Sequence, residues 1–129
     1  MTTREPISTA DAPAAAGPYS QAMGAGDLVF TAGQLGTDPA TGEMPAAVGE
    51  QAERALANLA AILSAAGSGM DRLVKVTVYL ADIGDWPAVN EVYARAVPEP
   101  FPARSDFAVR DLPKGAKVEI EAVALRGVG

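Results

Sequence analysis

The sequence predicts a single α+β domain, in the order β-β-α-β-α-β-β, with two helices on one side of a sheet. Three observations carry this. An apolar stripe at three- and four-residue spacing runs from Val48 to Ala66. Strict alternation fills Leu73–Leu80, and a second alternating run fills Lys117–Leu125. The chain has 129 residues, 49% of them apolar, enough for one core and too short for two comfortable ones.

Residues 1–16, rich in Ala, Pro, Thr and Ser, read as an N-terminal arm, and 17–129 as the domain. Pro18–Met23 is the first strand candidate. Gly24–Asp27 makes a turn into Leu28–Ala32, which ends at Gly33. Residues 37–43 are dense in turn formers. In the first helix Val48, Ala52, Ala55, Leu56, Leu59, Ile62, Leu63 and Ala66 share a face. Glu50, Glu53, Arg54 and Asn58 fall largely outside it, and Gly67 marks a left-handed end. In Leu73–Leu80, Val74, Val76, Val78 and Leu80 share one face while Lys75, Thr77 and Tyr79 share the other. Asp85 is placed to cap a second helix, Trp86–Ala96, with Pro87 in its first turn. Its stripe is Trp86, Val89, Val92 or Tyr93, and Ala96. Pro98, Pro100 and Pro102 mark an extended connection to Arg104–Val109. The β-α-β crossover requires at least one parallel strand pair, so the sheet is mixed.

Composition removes whole classes of chemistry. The chain contains no cysteine and no histidine, which excludes disulfides, thiolate nucleophiles, Cys/His zinc sites and the Ser-His-Asp triad. A net charge of -6 disfavours a nucleic-acid partner. No run approaches 18 apolar residues, and the opening residues lack the apolar core of a signal peptide, so a soluble cytoplasmic protein without membrane partners is the expectation.

Two helices cover one face of a sheet. Continuous alternation assigns Thr31, Lys75, Thr77, Tyr79, Arg104, Asp106, Glu119, Glu121 and Leu125 to the other. That mixture of charge and apolar surface favours self-association through the sheets, with pockets between subunits. Arg104 suits a bidentate grip on a carboxylate, or a salt bridge to Asp106, Glu119 or Glu121. Glu119 suits a water-positioning base or a solvated strand residue, and Glu121 beside it would raise its pKa if the pair is buried. Lys75 is an amine nucleophile or a partner for those glutamates. Gly33 lets a ligand approach the backbone or makes a turn. Tyr19, after Gly17-Pro18, lids a pocket or packs the arm. Asn90 reads as a surface residue and Trp86 as core.

These residues lie in a run of motifs. Pro13–Gln21, Thr31–Gln34 with Asp38–Gly42, Ala55–Leu59, Val74–Leu80, Val89–Tyr93, Phe101–Ser105 and Leu112–Ala122 together resemble the RidA family of reactive-intermediate deaminases, also called the YjgF/UK114 family. The resemblance covers about residues 7 to 126. It implies a chorismate-mutase-like α+β fold and a homotrimer whose sheets form a central barrel, with three clefts between subunits. It further implies hydrolysis of 2-imino acids, such as 2-iminopropanoate and 2-iminobutanoate, to 2-keto acids and ammonia, without metal or organic cofactor. By the same resemblance Arg104 holds the substrate carboxylate, Tyr19 closes the pocket, and the Gly33 backbone helps hold the substrate. Glu119 stands near the attacking water, and Asn90 is a recurrent polar residue of the second helix.

One position departs from the pattern. Asp106 stands where members often carry Cys or a small uncharged residue. A charge-assisted pair with Arg104, worth roughly 1.5–3 kcal/mol, would compete with a substrate carboxylate and cost tenfold or more in affinity. Asp106 would otherwise contact an amine or hydroxyl of a different substrate. Two alternatives therefore stand beside the simple imine deaminase: an enzyme for another enamine or imine in a dedicated pathway, and a non-catalytic module that binds small carboxylates.

Overall fold

Helix α1 (Val48–Ala65) forms where apolar residues return every three or four positions and small alanines allow close approach to a sheet. The computed structural model describes residues 3–127. In it Ala52, Ala55, Leu59, Ile62 and Leu63 of α1 are fully buried. The helix ends as expected at Gly67 (φ 78°). Ser68 N–H donates to Leu63 O (2.8 Å) and Gly67 N–H to Ser64 O (3.1 Å), which satisfies two terminal carbonyls.

Six strands form one mixed sheet: β1 (Arg4–Ile7), β2 (Ala22–Ala25), β3 (Leu28–Thr31), β4 (Leu73–Leu80), β5 (Ala103–Ala108) and β6 (Val118–Leu125). Their spatial order is β1-β2-β3-β6-β4-β5. Only β4 and β5 run parallel, and the helix α2 (Trp86–Ala96) joins them. Val29, Val76, Val78, Leu80, Val118, Ile120 and Ala124 project from the sheet into one core with α1 and with Val89, Val92 and Tyr93 of α2. The two-helix, mixed-sheet class expected from the sequence is present, with one more strand than expected.

That extra strand is β1, inside the segment read as an arm. It pairs antiparallel with β2. Four residues, three of them exposed and one a proline, give no alternation to read, and proline is tolerated because this is an edge. The rest of the segment is fixed by buried Gln21. Its amide nitrogen donates to Thr9 O (3.1 Å), Ala12 O (3.3 Å) and Pro13 O (2.7 Å), and its Oε1 accepts from Thr9 N–H (2.7 Å). The strand expected at Pro18–Met23 starts only at Ala22; Pro18 and Tyr19 lie in a bend.

Several side chains also sit elsewhere than periodicity placed them. The register between β4 and β6 shifts between Leu73 and Lys75, and Val74 is 43% exposed instead of buried. Asp85 makes no side-chain cap. Asp82 does the capping one turn earlier, where its Oδ1 accepts from Gly84 N–H (2.8 Å). Asn58, placed outside the stripe of α1, is fully buried and donates to Leu35 O (3.1 Å) and Thr37 O (2.8 Å). Gln51 is buried beside it, donating to Pro45 O (2.8 Å) and accepting from Lys117 N–H (2.9 Å). Polar side chains of α1 thus supply the hydrogen bonds that the irregular segment 35–45 cannot make for itself.

That segment passes very close to the helix at Gly36. A Cβ there would lie 2.6 Å from Gln51 Cα and 2.9 Å from its carbonyl carbon. Helix backbone cannot yield as a side chain can. Gly36→Ala is therefore expected to destabilise the fold by about 1–3 kcal/mol, read as a lower denaturant midpoint at unchanged m-value.

Candidate active site

The strand pairing sorts the candidate residues onto two faces. Paired residues on neighbouring strands point the same way. Arg104 pairs with Val76 and Asp106 with Val78, both core residues, so Arg104 and Asp106 project from the helix side of the sheet. Glu119 pairs with Tyr79 and Glu121 with Thr77, on the open side. The expectation that Arg104, Asp106, Glu119 and Lys75 share one face is corrected. The phase of β5 is set by its pairing with β4, and in Arg104-Ser105-Asp106 every residue is polar, so its own alternation carried no signal. Thr31, also assigned to the open face, pairs with buried Ala22 and accepts from Ala122 N–H (3.0 Å).

On the helix side, at the β5 edge, Arg104 enters a cavity of about 400 Å³ lined by Asn90, Tyr93, Ala94, Phe101, Pro102 and Asp106. Its guanidinium carbon lies 4.5 Å from the centroid of the Tyr93 ring and 5.7 Å from that of Trp86. Arg104 Nε donates to Asp106 Oδ2 at 3.1 Å, and both side chains are about four-fifths buried (20% and 19% exposed). Asn90 lines this cavity and is partly buried. Trp86, read as core, is 36% exposed and serves as a wall beside the arginine. The sequence places Tyr93 only in an apolar stripe. Periodicity shows that a ring is buried, not that a cation lies over it. Burial raises the Tyr93 pKa, with Arg104 pulling the other way, so the phenol stays neutral beneath the guanidinium.

The second cavity, about 510 Å³, gathers Tyr19, Gly33, Gln34, Lys114 and Glu119. Gln34 and Ile120 exchange backbone hydrogen bonds (2.8 and 3.0 Å), which brings the end of β3 against β6 and sets Gly33 beside Glu119. A Cβ at Gly33 would strike the Glu119 carboxylate, with its Cδ 2.7 Å away, so a larger residue would push that side chain out of its present position. Tyr19 lines this cavity and is half-exposed, and its hydroxyl accepts from Ala16 N–H (3.2 Å). Lys114, whose part in the site the sequence did not single out, holds a left-handed backbone (φ 59°) unusual for a side chain of its kind. Burial, and then the charge of Glu121, raises the Glu119 pKa. Glu121 accepts from the Tyr79 hydroxyl (3.1 Å). Lys75 pairs with neither glutamate; its Nζ donates to Ser105 Oγ (2.8 Å). Among the described residues no group of three or more Asp or Glu gathers to hold a metal ion, and no helix is long and apolar enough to cross a membrane.

Arg104 and Glu119 thus belong to two cavities on opposite faces, on strands separated by β4. The open face between and beyond them exposes Phe30, Phe107 and Leu125, with Phe107 stacked on Tyr79 (centroids 6.5 Å apart).

Fold and cavities define a class: a small α+β chain with a ring-stacked arginine in a cavity at a parallel sheet edge and a glycine set against a glutamate in a second cavity across the sheet. The family description Endoribonuclease L-PSP matches residues 9–126. The RutC family protein y4sK of Sinorhizobium fredii is 58% identical over 120 residues, 92% of this chain and 95% of that protein. The human 2-iminobutanoate/2-iminopropanoate deaminase is 48% identical over 125 residues, 96% of this chain and 91% of that one. The crystal structure of RidA from an Antarctic Psychrobacter superimposes with a TM-score of 0.92 at 44% identity, covering 94% of this chain and 98% of the other. The chain belongs to the RidA family.

Proposed function

We propose that this protein hydrolyses 2-imino acids to 2-keto acids and ammonia, in sites completed between copies of the chain. The observation that carries the activity is the close relationship, over nearly the whole chain, to deaminases of 2-iminobutanoate and 2-iminopropanoate. The geometry supports it. Arg104 offers a fork for a carboxylate inside a cavity of mixed polar and apolar lining. Glu119, in the other cavity, is a carboxylate that takes up a proton more readily than an exposed one.

Because these groups project from opposite faces of one sheet, a single chain does not put both on one substrate. A neighbouring copy, docked against the exposed apolar residues of the open face, would bring its Glu119, Gly33 and Tyr19 to the Arg104 cavity. A homotrimer with three such sites satisfies this without leaving an unmatched surface. In the reaction, Arg104 fixes the carboxylate and backbone groups near Gly33 orient the imine nitrogen. Water attacks the iminium carbon; a C–O bond forms and the C=N π pair moves to nitrogen. Glu119 takes the water proton, then returns it to the amine. The C–N bond breaks as the hydroxyl oxygen forms C=O and gives its proton to the Glu119 carboxylate, and ammonia departs. An iminium carbon is already electrophilic, so positioning supplies most of what is needed.

The test generates 2-iminopropanoate and 2-iminobutanoate in situ and follows their decay with and without the protein, alongside light scattering for the assembly. Accelerated decay by a trimer supports the reading. No acceleration of either imine, with 2-oxobutanoate still bound, would favour a carboxylate-binding module instead.

A further inference from the structure

The pairing of Arg104 with Asp106 has a geometry that a simple block would not need. Asp106 sits two residues along the same strand, on the same side, and takes only Nε (3.1 Å). Among the described residues no other carboxylate pairs with Arg104, so no carboxylate occupies its two terminal Nη groups. A guanidinium has two usable edges, and the outer one, formed by the Nη pair, is the edge that grips a carboxylate end-on. Stacking over Tyr93 fixes the plane, and the Nε bond fixes the rotation within it.

The electrostatic consequence is equally specific. Among the described residues of one copy, Arg104 and Asp106 are the only charged side chains lining this cavity, beside Asn90, Tyr93, Ala94, Phe101 and Pro102. Together they carry no net charge, and the Glu119 that a neighbouring copy would bring adds a negative one, so the completed site does not favour a second anion. A 2-imino acid with a protonated nitrogen is a zwitterion, also without net charge, whereas its 2-keto acid product is an anion. An isolated arginine in a partly dry cavity attracts the anion strongly; a neutral pair does so far less.

We infer that Asp106 sets the charge class of the ligand: it holds Arg104 by Nε, leaves the Nη edge for a carboxylate, and makes the cavity favour acids with a cationic α-nitrogen over 2-keto acids. Asp106 is thus a positioning residue that also speeds product departure. The inference rests on the reading that Arg104 grips the substrate carboxylate.

The test measures binding of two stable probes, 2-oxobutanoate (anion) and L-2-aminobutanoate (zwitterion), by calorimetry at low salt on the assembled full chain. Wild type is expected to favour the amino acid. Asp106→Asn keeps an acceptor near Nε and removes the charge. It is expected to bind 2-oxobutanoate about tenfold tighter, the scale of one charge at a partly buried site, and L-2-aminobutanoate no tighter. Asp106→Ser repeats the measurement should the asparagine variant not fold. Equal tightening of both probes would mean that Asp106 merely competes with carboxylates, and an unchanged ratio would mean that it has no part in selection; either overturns the inference alone. Undiminished binding of both probes by Arg104→Ala, or no binding of either by wild type, overturns the carboxylate reading and this inference with it.

Discussion

Arg104→Ala is expected to lose about 10²–10⁴-fold in kcat/KM for 2-iminobutanoate, the loss of two charge-assisted hydrogen bonds to one carboxylate. The variant removes an anchor present in both the bound substrate and the transition state, so KM should rise along with any fall in kcat. Binding of 2-oxobutanoate should fall in parallel. A second consequence is local. Without its partner, Asp106 is a carboxylate four-fifths buried beside Tyr93 and Pro102, a costly arrangement. Arg104→Lys, which keeps the charge but not the flat fork, should rescue stability better than activity. Steady-state kinetics on the two variants, with thermal melts, separates these effects. Near-wild-type turnover by Arg104→Ala would remove the arginine from the mechanism.

Glu119→Gln is expected to lower kcat by about 10²–10⁴-fold, the usual contribution of a positioned base, with KM nearly unchanged. The pH profile provides the finer test. Burial and the neighbouring Glu121 hold the Glu119 pKa above the ordinary carboxylate value of 4.5. Catalysis uses the ionised form, so the acid limb of the kcat profile should have its midpoint above that value. Glu121→Gln removes one of the two causes and should move the limb to lower pH. The stability consequence has the opposite sense. A carboxyl with a raised folded-state pKa binds protons more tightly in the folded chain than in the unfolded one. Its favourable contribution is complete below the unfolded pKa and is lost as pH rises through the folded value. At pH 7 Glu119 therefore works against the fold, and Glu119→Gln should melt no lower than wild type. An acid limb that Glu119→Gln leaves in place would show that another group governs it.

Much of the architecture could be read from residues alone. The stripe from Ala52 to Leu63 located α1, and Gly67 its end. The alternation in Leu73–Leu80 and Lys117–Leu125 located the two central strands, and the crossover through α2 required the parallel pair that β4 and β5 form. What stayed hidden depended on pairing. Strand β1 has too few residues and too much exposure for its pattern to register. The face occupied by Arg104 and Asp106 follows from the register of β5 against β4, which no feature of Arg104-Ser105-Asp106 reveals. The nearness of Gly33 to Glu119 comes from the bridge between Gln34 and Ile120, 86 positions apart in the chain. The Arg104–Asp106 bond was foreseeable as one of three possible salt bridges; only the structure shows that it uses Nε.

In the assembly proposed above, the placement of Arg104 and Glu119 on opposite faces would make every subunit a contributor to two reaction centres, lending an acid-binding half to one neighbour and a proton-accepting half to another. Two crippled proteins should then repair each other. When Arg104→Ala and Glu119→Gln chains are unfolded, mixed in equal amounts and reassembled, about a quarter of the centres should receive both intact halves. Activity regained on mixing, from two preparations that each have almost none, would be the signature of shared ownership. Continued inactivity in verified mixed assemblies would mean that each chain keeps its catalytic parts to itself.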